Sequence, residues 1–142
     1  MTLKIRTAVP ADIPAMHRVR TSVRENRLSN PQRITEADYL PYIVANTAWV
    51  AGRDASIAGF AALDAPAKSV WALFVEPSAE GLGIGRALYE TMLRCAREHG
   101  IKHLSLSTAD RSRAMQFYSL AGWTRQGTTP DGEVILRKTI FG

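Results

Sequence analysis

The chain has 142 residues, of which 46% are hydrophobic and 22% charged, and this composition is typical of one globular domain. No apolar run reaches the roughly 18–20 residues that span a bilayer, and the N-terminus has no secretion signal, so we expect a soluble, cytoplasmic protein without a membrane partner. The single cysteine, Cys95, excludes an intramolecular disulfide and a cysteine-based metal cluster, whereas the net charge of +5 favours anionic ligands in general.

The first third of the chain predicts a strand followed by two helices. Residues 3–8 alternate between apolar and polar, as in a half-buried strand. Pro10 then opens a helix whose apolar positions recur at helical spacing: Ile13, Met16, Val19 and Val23. Thr35 and Asp38 have the spacing of a capping box, which predicts a second, shorter helix through about Ala45.

The middle of the chain predicts three strands and a long helix. Residues 49–53 and 57–63 are short β-type runs that suit a hairpin. Residues 70–75 read VWALFV without a polar residue, which predicts a central strand covered on both faces. From Ile84 an apolar stripe at helical spacing indicates an amphipathic helix, and Gly100 offers its C-terminal cap.

The last third of the chain predicts a strand, a helix and two closing strands. The strand covers residues 103–109, the helix ends before Gly122, and a turn at residues 130–132 separates the final strands. The strand–helix–strand order between residues 70 and 109 implies a parallel crossover within an otherwise antiparallel sheet. The sequence therefore predicts the mixed α/β class.

Between the central strand and its helix lies a segment with three glycines at alternate positions, Gly81, Gly83 and Gly85. Glycines at a helix N-terminus let backbone N–H groups approach an anion, and the helix dipole adds positive potential there, so this segment predicts a phosphate site. A dinucleotide fingerprint would need glycine where the chain has Arg86 or Leu88. A Walker loop is also excluded, because no glycine is followed by lysine and then by serine or threonine.

The sequence VWALFVEPSAEGLGIGRALYETML, residues 70–93, resembles the acyl-CoA-binding motif of the GNAT acyltransferases. The resemblance implies that the backbone at the end of the strand bonds the pantetheine arm, through Leu73, Phe74 and Val75. It also implies that the loop binds the pyrophosphate, through Gly81, Leu82, Gly83, Ile84, Gly85, Arg86 and Ala87. The family commonly opens this loop with glutamine or arginine, whereas this chain has the acidic Glu80.

A second segment, residues 114–123, resembles another motif of the same family, in which an alanine precedes an aromatic–tyrosine pair and a glycine–aromatic end. By this resemblance Ala114, Phe117 and Tyr118 contact the cofactor, and so does Arg111, which stands where an asparagine is usual. The implied structure is a single GNAT-like domain over residues 1–142, with a mixed, mostly antiparallel sheet of about six to seven strands, a splayed central parallel pair and about four helices. The implied co-substrate is acetyl-CoA or another short acyl-CoA, with no metal.

The implied reaction is N-acyl transfer, in which a primary amine attacks the thioester carbonyl directly and the CoA thiolate leaves. Tyr118 stands at the position of the family's acid. A phenol with a pKa of about 10 can hydrogen-bond or protonate a thiolate whose thiol has a pKa of about 8.5. Glu25 is the candidate base, and Glu25, Asn26 and Arg27 are the candidate acceptor-binding residues, because their segment borders the acceptor site in the family. A water chain is the alternative to a dedicated base.

Two other functions stay open. A non-catalytic acyl-CoA-binding or sensor domain would keep the glycine loop without needing a productive Tyr118. A nucleic-acid-binding protein would use the arginines in and after the first helix, which are Arg18, Arg20, Arg24, Arg27 and Arg33. We expect these arginines to form a solvated face, because the chain has no nucleic-acid-binding motif. The sequence names no particular acceptor amine, and it leaves a homodimer open.

Overall fold

The computed structural model describes residues 3–23, 34–53 and 56–140, which form a seven-stranded sheet and four α-helices. The strands are β1 (Leu3–Thr7), β2 (Ala48–Arg53), β3 (Ser56–Asp64), β4 (Ser69–Val75), β5 (His103–Thr108), β6 (Thr124–Thr128) and β7 (Val134–Thr139). Their order across the sheet is β1-β2-β3-β4-β5-β7-β6, and every neighbouring pair is antiparallel except β4 with β5. The predicted mixed α/β class and its central parallel pair are confirmed.

The helices lie on both faces of this sheet. They are α1 (Ile13–Ser22), α2 (Leu40–Val44), α3 (Ile84–Glu98) and α4 (Arg113–Leu120). Short 3-10 turns precede α1 and α2. The predicted capping pattern before α2 is confirmed, because the Thr35 N–H donates to the Asp38 carboxylate over 2.7 Å. None of the described helices is long and apolar enough to cross a membrane.

Each face of the sheet carries its own core. On one face α3 and α4 pack against the sheet in a buried cluster that includes Leu88 and Met92 of α3, and on the other face Met16 of α1 and Phe60 of β3 belong to a second cluster. α3 approaches the sheet closely because Gly59 of β3 has no side chain: a Cβ there would lie 3.1 Å from the Leu88 side chain. The start of α3 is therefore held firmly against the centre of the sheet.

The sheet is open between its two parallel strands. β4 and β5 pair only at Ser69 and Ser105, and beyond this point no described residues of the two strands pair. The predicted central position of β4 is confirmed, and its residues pack against the cores on both faces, but within residues 69–75 only Ala72 is buried and the others are half-buried. The apolar residues of β4 line a cleft as well as a core, and apolar composition does not distinguish these two environments.

Candidate active site

A cleft of about 890 Å³ opens where β4 and β5 separate. Its walls are the open edge of β4, the loop that leads into α3, the end of β5 and the start of α4. Arg20 and Val23, in and after α1, also line it, although α1 lies on the other face of the sheet from α3 and α4. The cleft therefore joins the two faces of the sheet.

The open edge of β4 offers backbone hydrogen-bonding groups to the cleft. The N–H of Glu76, directly after β4, donates to the carbonyl of Ala58 in β3 over 2.8 Å, and successive residues of a strand direct these groups to opposite sides. Leu73 and Val75 therefore direct their N–H and C=O groups away from β3, toward the space where β5 does not pair. An extended ligand with amide groups of its own would complete this edge as an added strand does.

The glycine loop presents a run of unpaired N–H groups. Gly81 and Gly83 have φ values of +84° and +82°, a region that favours glycine, and Gly83 is the N-cap of α3. The Ala87 N–H donates to the Gly83 carbonyl over 3.1 Å. In the described part of the chain, the N–H groups of residues 81–86 have no acceptor. Together with the dipole of the 15-residue helix, these N–H groups have the arrangement that suits an anion.

Glu80, the acidic residue at the start of this loop, forms an ion pair with Arg113. The Glu80 carboxylate accepts a hydrogen bond from Arg113 at the start of α4, and both residues line the cleft. This pairing offsets the negative charge that the sequence places beside the phosphate site. Arg86 also lines the cleft and lies 3.6 Å from Glu90, one helical turn further on.

Tyr118 is buried in an aromatic cluster beside the cleft. Its ring lies 5.2–6.1 Å, between centroids, from the rings of Phe117, Tyr89 and Trp123. Among the described residues, the Tyr118 hydroxyl has no hydrogen-bond partner, whereas the Tyr89 hydroxyl accepts the Trp123 indole N–H over 2.8 Å. Burial, with a smaller contribution from Tyr89, raises the pKa of Tyr118 well above its ordinary value. Tyr118 therefore lines the cleft as a protonated phenol with an unused donor.

Arg20 is a cleft residue that the sequence analysis assigned to a solvated face. Its guanidinium carbon lies 4.8 Å from the ring centroid of Trp71 and 4.9 Å from that of Phe74, both on β4. That assignment is wrong for Arg20, whereas Arg18 is exposed as expected. The signal that could have identified Arg20 is its place four residues after Met16, which is on the apolar stripe of α1.

Two carboxylates before β7 were also missed by the sequence analysis. Asp131 and Glu133 line the cleft, and the Ser107 hydroxyl of β5 donates to the Glu133 carboxylate over 3.1 Å. No sequence motif marks them, because they enter the cleft only through the pairing of β5 with β7. Within residues 3–23, 34–53 and 56–140, no three His, Cys, Asp or Glu side chains are grouped so that they could hold a metal ion.

The structure brings together most of the residues that the motifs predict for the cofactor. Those that line the cleft are Leu73, Phe74, Val75, Gly81, Gly83, Ile84, Gly85, Arg86, Ala114, Phe117 and Tyr118. Leu82, Ala87 and Arg111 are described but lie outside this lining. Arg111 is exposed and has a φ of +60°, a conformation that asparagine adopts more readily than arginine. The predicted acceptor-side residues Glu25, Asn26 and Arg27 lie outside the described residues.

Residues 16–123, which contain β4, the glycine loop and α4, match the family model described as the acetyltransferase (GNAT) family. The chain belongs to the GNAT family. Relatives of this GNAT chain include mycothiol acetyltransferase of Sanguibacter keddieii, 34% identical over 114 residues, and chloroplastic serotonin N-acetyltransferase 2 of Oryza sativa subsp. japonica, 29% identical over 123 residues. The matches cover 68% and 83% of this chain but only 36% and 59% of these relatives, so the chain spans part of their length.

The fold of the GNAT chain is similar to that of a solved structure, the PaiA N-acetyltransferase from Thermoplasma acidophilum in complex with coenzyme A. The TM-score is 0.83, the sequence identity is 18%, and the similarity covers 98% of this chain and 99% of the other. At this identity the similarity establishes the shared fold. The GNAT-like fold and the GNAT family that the two motifs predict are confirmed.

Proposed function

We propose that this chain is an acyl-CoA-dependent N-acyltransferase. It transfers an acetyl group from acetyl-CoA, or another short acyl group, to a primary amine of a small molecule, a peptide or a protein. The observation that carries the proposal is that the unpaired edge of β4 and the unpaired N–H groups of residues 81–86 meet in one cleft. An acyl-CoA has the matching parts, which are a pyrophosphate and an extended arm with amide groups. Membership of the GNAT family and the coenzyme A of the T. acidophilum structure support this proposal.

In the proposed complex the pyrophosphate binds at the N-terminus of α3. A Cβ built at Gly81 or Gly83 would meet nothing within 4 Å, which leaves room for a phosphate beside the loop. The guanidinium groups of Arg86 and Arg113 lie at this end of the cleft, each beside a carboxylate whose charge it offsets, and can donate to a phosphate. The pantetheine amides then bond the backbone of the β4 edge, and the acyl group reaches the part of the cleft that Tyr118 lines.

Tyr118 is the group that assists the departing thiolate in this proposal. Because burial raises its pKa, the Tyr118 phenol is a weaker acid than the reference values of about 10 for phenol and 8.5 for thiol imply. The same desolvation raises the pKa of a thiol in the cleft, so the two shifts partly cancel. The free hydroxyl can also donate a hydrogen bond to the sulfur as negative charge develops there, without full proton transfer.

The proton of the attacking amine needs a separate acceptor. Glu25 remains the proposed base, with Asn26 and Arg27 beside the acceptor, and these assignments rest on the family resemblance alone. Glu133 is a second carboxylate in the cleft, held by the Ser107 hydroxyl. A water chain that ends at either carboxylate would serve the same purpose.

The direct test is to incubate the chain with acetyl-CoA and a panel of primary amines, and to measure free thiol and N-acetylated product together. We expect one molecule of amide for each thiol released, with at least one amine of the panel. A non-catalytic acyl-CoA sensor would instead bind acetyl-CoA, with a rise in melting temperature, and would release no thiol with any amine. A nucleic-acid-binding protein would bind duplex DNA with an affinity that falls steeply with salt.

The extent of the domain, its location in the cell and its oligomeric state stay as the sequence predicts them. A single domain over residues 1–142 and a cytoplasmic location stay predictions, and the choice between a monomer and a homodimer stays open.

A further inference from the structure

On the basis of the proposed function, we propose that the acceptor is an amine that also carries a carboxylate, and that Arg20 binds this carboxylate. Arg20 lines the cleft from α1, on the opposite face of the sheet from α3 and α4. The glycine loop and Tyr118 lie on the same face of the sheet as α3 and α4. A carboxylate held by Arg20 would therefore occupy the end of the cleft that the acyl-CoA does not fill.

The Arg20 guanidinium packs on aromatic rings and lies near Tyr39 and Asp38, which raise its pKa against the larger lowering by burial, but it forms no ion pair with a described carboxylate. Its guanidinium packs on the rings of Trp71 and Phe74, at 4.8 and 4.9 Å from their centroids. Nη1 of Arg20 is buried and, among the side-chain nitrogen and oxygen atoms of the described residues, it alone is both buried and without a hydrogen-bond partner. No described carboxylate lies within 4.0 Å of the Arg20 nitrogens.

A buried guanidinium with an N–H group that lacks an acceptor favours the binding of an anion. A buried charged donor without an acceptor is costly, and an arginine stays protonated at neutral pH, although burial lowers the pKa of Arg20. The planar guanidinium matches a carboxylate through two parallel hydrogen bonds, and the rings of Trp71 and Phe74 exclude the water that would weaken them. In the proposed complex, rotation about the last bonds of the Arg20 side chain turns Nη1 toward the cleft.

A purely structural role for Arg20 makes a different prediction. If the guanidinium served only to pack against Trp71 and Phe74, its removal would affect all acceptors alike. A carboxylate-binding role affects only the acceptors that carry the carboxylate. Arg18 provides a matched control on the same helix, because it is exposed, lies outside the cleft lining and donates to the Ile57 carbonyl over 3.2 Å.

The test uses pairs of acceptors that differ only in the carboxylate. Each α-amino acid or ω-amino acid of a panel is compared with its carboxamide, and dipeptides with their C-terminal amides separate free amino acids from peptide C-termini as the source of the group. kcat/KM is measured at saturating acetyl-CoA and expressed per unprotonated amine, since the two members of a pair differ in amine pKa. We expect at least a tenfold preference for the carboxylate in at least one pair.

The carboxylate–carboxamide pair with the largest preference is then assayed with three variants. Arg20→Met, which keeps the apolar stem, should reduce the preference to about twofold or less, and Arg20→Lys should restore part of it. Arg18→Met should keep the full preference. The affinity for acetyl-CoA, measured by calorimetry, should be unchanged in all three. Arg20→Gln replaces Arg20→Met if thermal unfolding shows that the methionine variant is not folded.

The outcomes separate this inference from the proposed function. If amines are acetylated but every carboxylate–carboxamide pair reacts within twofold, the inference is wrong and the proposed function stands. The inference is equally wrong if Arg20→Met keeps the preference of the parent chain. If acetyl-CoA binds and no amine of the panel is acetylated, the proposed function fails, and this inference fails with it.

Discussion

Tyr118 and Tyr89 lie in one aromatic cluster, but among the residues that the structure describes only the Tyr89 hydroxyl forms a hydrogen bond. The Tyr89 hydroxyl accepts the buried Trp123 indole N–H over 2.8 Å. The Tyr118 hydroxyl has no partner among the described residues and belongs to a side chain that lines the cleft. The two tyrosines therefore allow a structural role to be separated from a catalytic role within the same cluster.

We predict opposite effects for the two phenylalanine variants. Tyr118→Phe removes general-acid help, which is typically worth about 10²–10⁴-fold in kcat, and should leave stability nearly unchanged because the Tyr118 hydroxyl bonds none of the described residues. Tyr89→Phe leaves the Trp123 N–H unpaired, which costs about 1–3 kcal/mol of unfolding free energy, and changes kcat little. The measurements are kcat at saturating acetyl-CoA and denaturant unfolding of both variants. A kcat for Tyr118→Phe within about twofold of the parent would rule out a required acid role.

The Glu80–Arg113 ion pair allows a test of how charge beside the glycine loop affects the affinity for acetyl-CoA. Glu80→Gln removes a negative charge beside the phosphates and releases Arg113 from its acidic partner, so acetyl-CoA should bind several-fold more tightly. Arg113→Ala removes a cation and leaves the Glu80 charge uncompensated, so binding should weaken by about tenfold or more. Calorimetric titration at low and at physiological salt measures both changes, which should shrink as salt screens them. Equal affinities for the two variants would contradict this account of the pair.

At the scale of single residues, the sequence identified the groups that carry a motif. Tyr118 and the loop glycines line the cleft, because their spacing is fixed by local structure, and their contact with acyl-CoA stays a prediction. Arg20 and Glu133 were missed because their place depends on how α1 and β7 pack against the sheet. Arginine is usually solvated, and only the helical stripe of α1 distinguishes Arg20 from Arg18.

Among the helices and strands, α3 allows the most specific test of the phosphate site, through substitution of Gly85 in its first turn. Gly83→Val is a poor probe, because Gly83 has a φ of +82° and any side chain there strains the backbone. Gly85 lines the cleft in an ordinary helical conformation, and a Cβ there would meet only a Val75 methyl group at 3.5 Å. We predict that Gly85→Ala weakens acetyl-CoA binding a few-fold and Gly85→Val at least tenfold, measured by calorimetry.

The melting temperature of each Gly85 variant serves as the control for folding. Both variants should melt within a few degrees of the parent, because neither the backbone conformation nor the packing excludes a side chain at this position. Unchanged acetyl-CoA affinity in a folded Gly85→Val variant would show that the phosphates bind elsewhere.

The link between β1 and α1 predicts a pH dependence of stability. The buried Asp12 carboxylate accepts hydrogen bonds from Arg6 and from the Val9 N–H, each over 2.8 Å. The Arg6 hydrogen bond is the main cause that lowers the pKa of Asp12 below its ordinary value of 3.8. Because the pKa is lower in the folded state, Asp12 stabilises the fold above about pH 4, and this contribution is lost as the pH falls through the folded pKa.

Asp12→Asn should therefore lower the unfolding free energy by about 1–3 kcal/mol at pH 7. The difference from the parent chain should begin to shrink below about pH 4, where the Asp12 carboxyl is protonated in the unfolded state, and should be lost completely only below the lower pKa of the folded state. Urea unfolding at pH 7 and at pH 3 measures the two differences. A deficit in Asp12→Asn that does not decrease at pH 3 would mean that ionic pairing with Arg6 is not the source of the stability.

At the scale of the whole molecule, the sheet separates two cores and leaves one gap between β4 and β5. The sequence predicted the element types and their order, because the hydrophobic period and the turn residues are local signals. The strand order β5-β7-β6 depends on long-range pairing that no local pattern encodes. The gap itself was expected only from the GNAT resemblance, because the apolar composition of β4 predicts that both faces of the strand are covered and says nothing about the pairing of its edge.

Backbone amide exchange, measured by NMR with and without saturating acetyl-CoA, tests most directly whether this gap is the acyl-CoA site. In the free chain the amides of Leu73, Val75 and residues 81–86 have no acceptor among the described residues and should exchange rapidly. Phe74, whose amide faces β3, should exchange slowly and serves as the internal control. Saturation with acetyl-CoA should slow exchange at Leu73, Val75 and the loop by at least tenfold and leave Phe74 unchanged. Binding of acetyl-CoA with no protection at these amides, or with protection confined to another surface, would contradict the account.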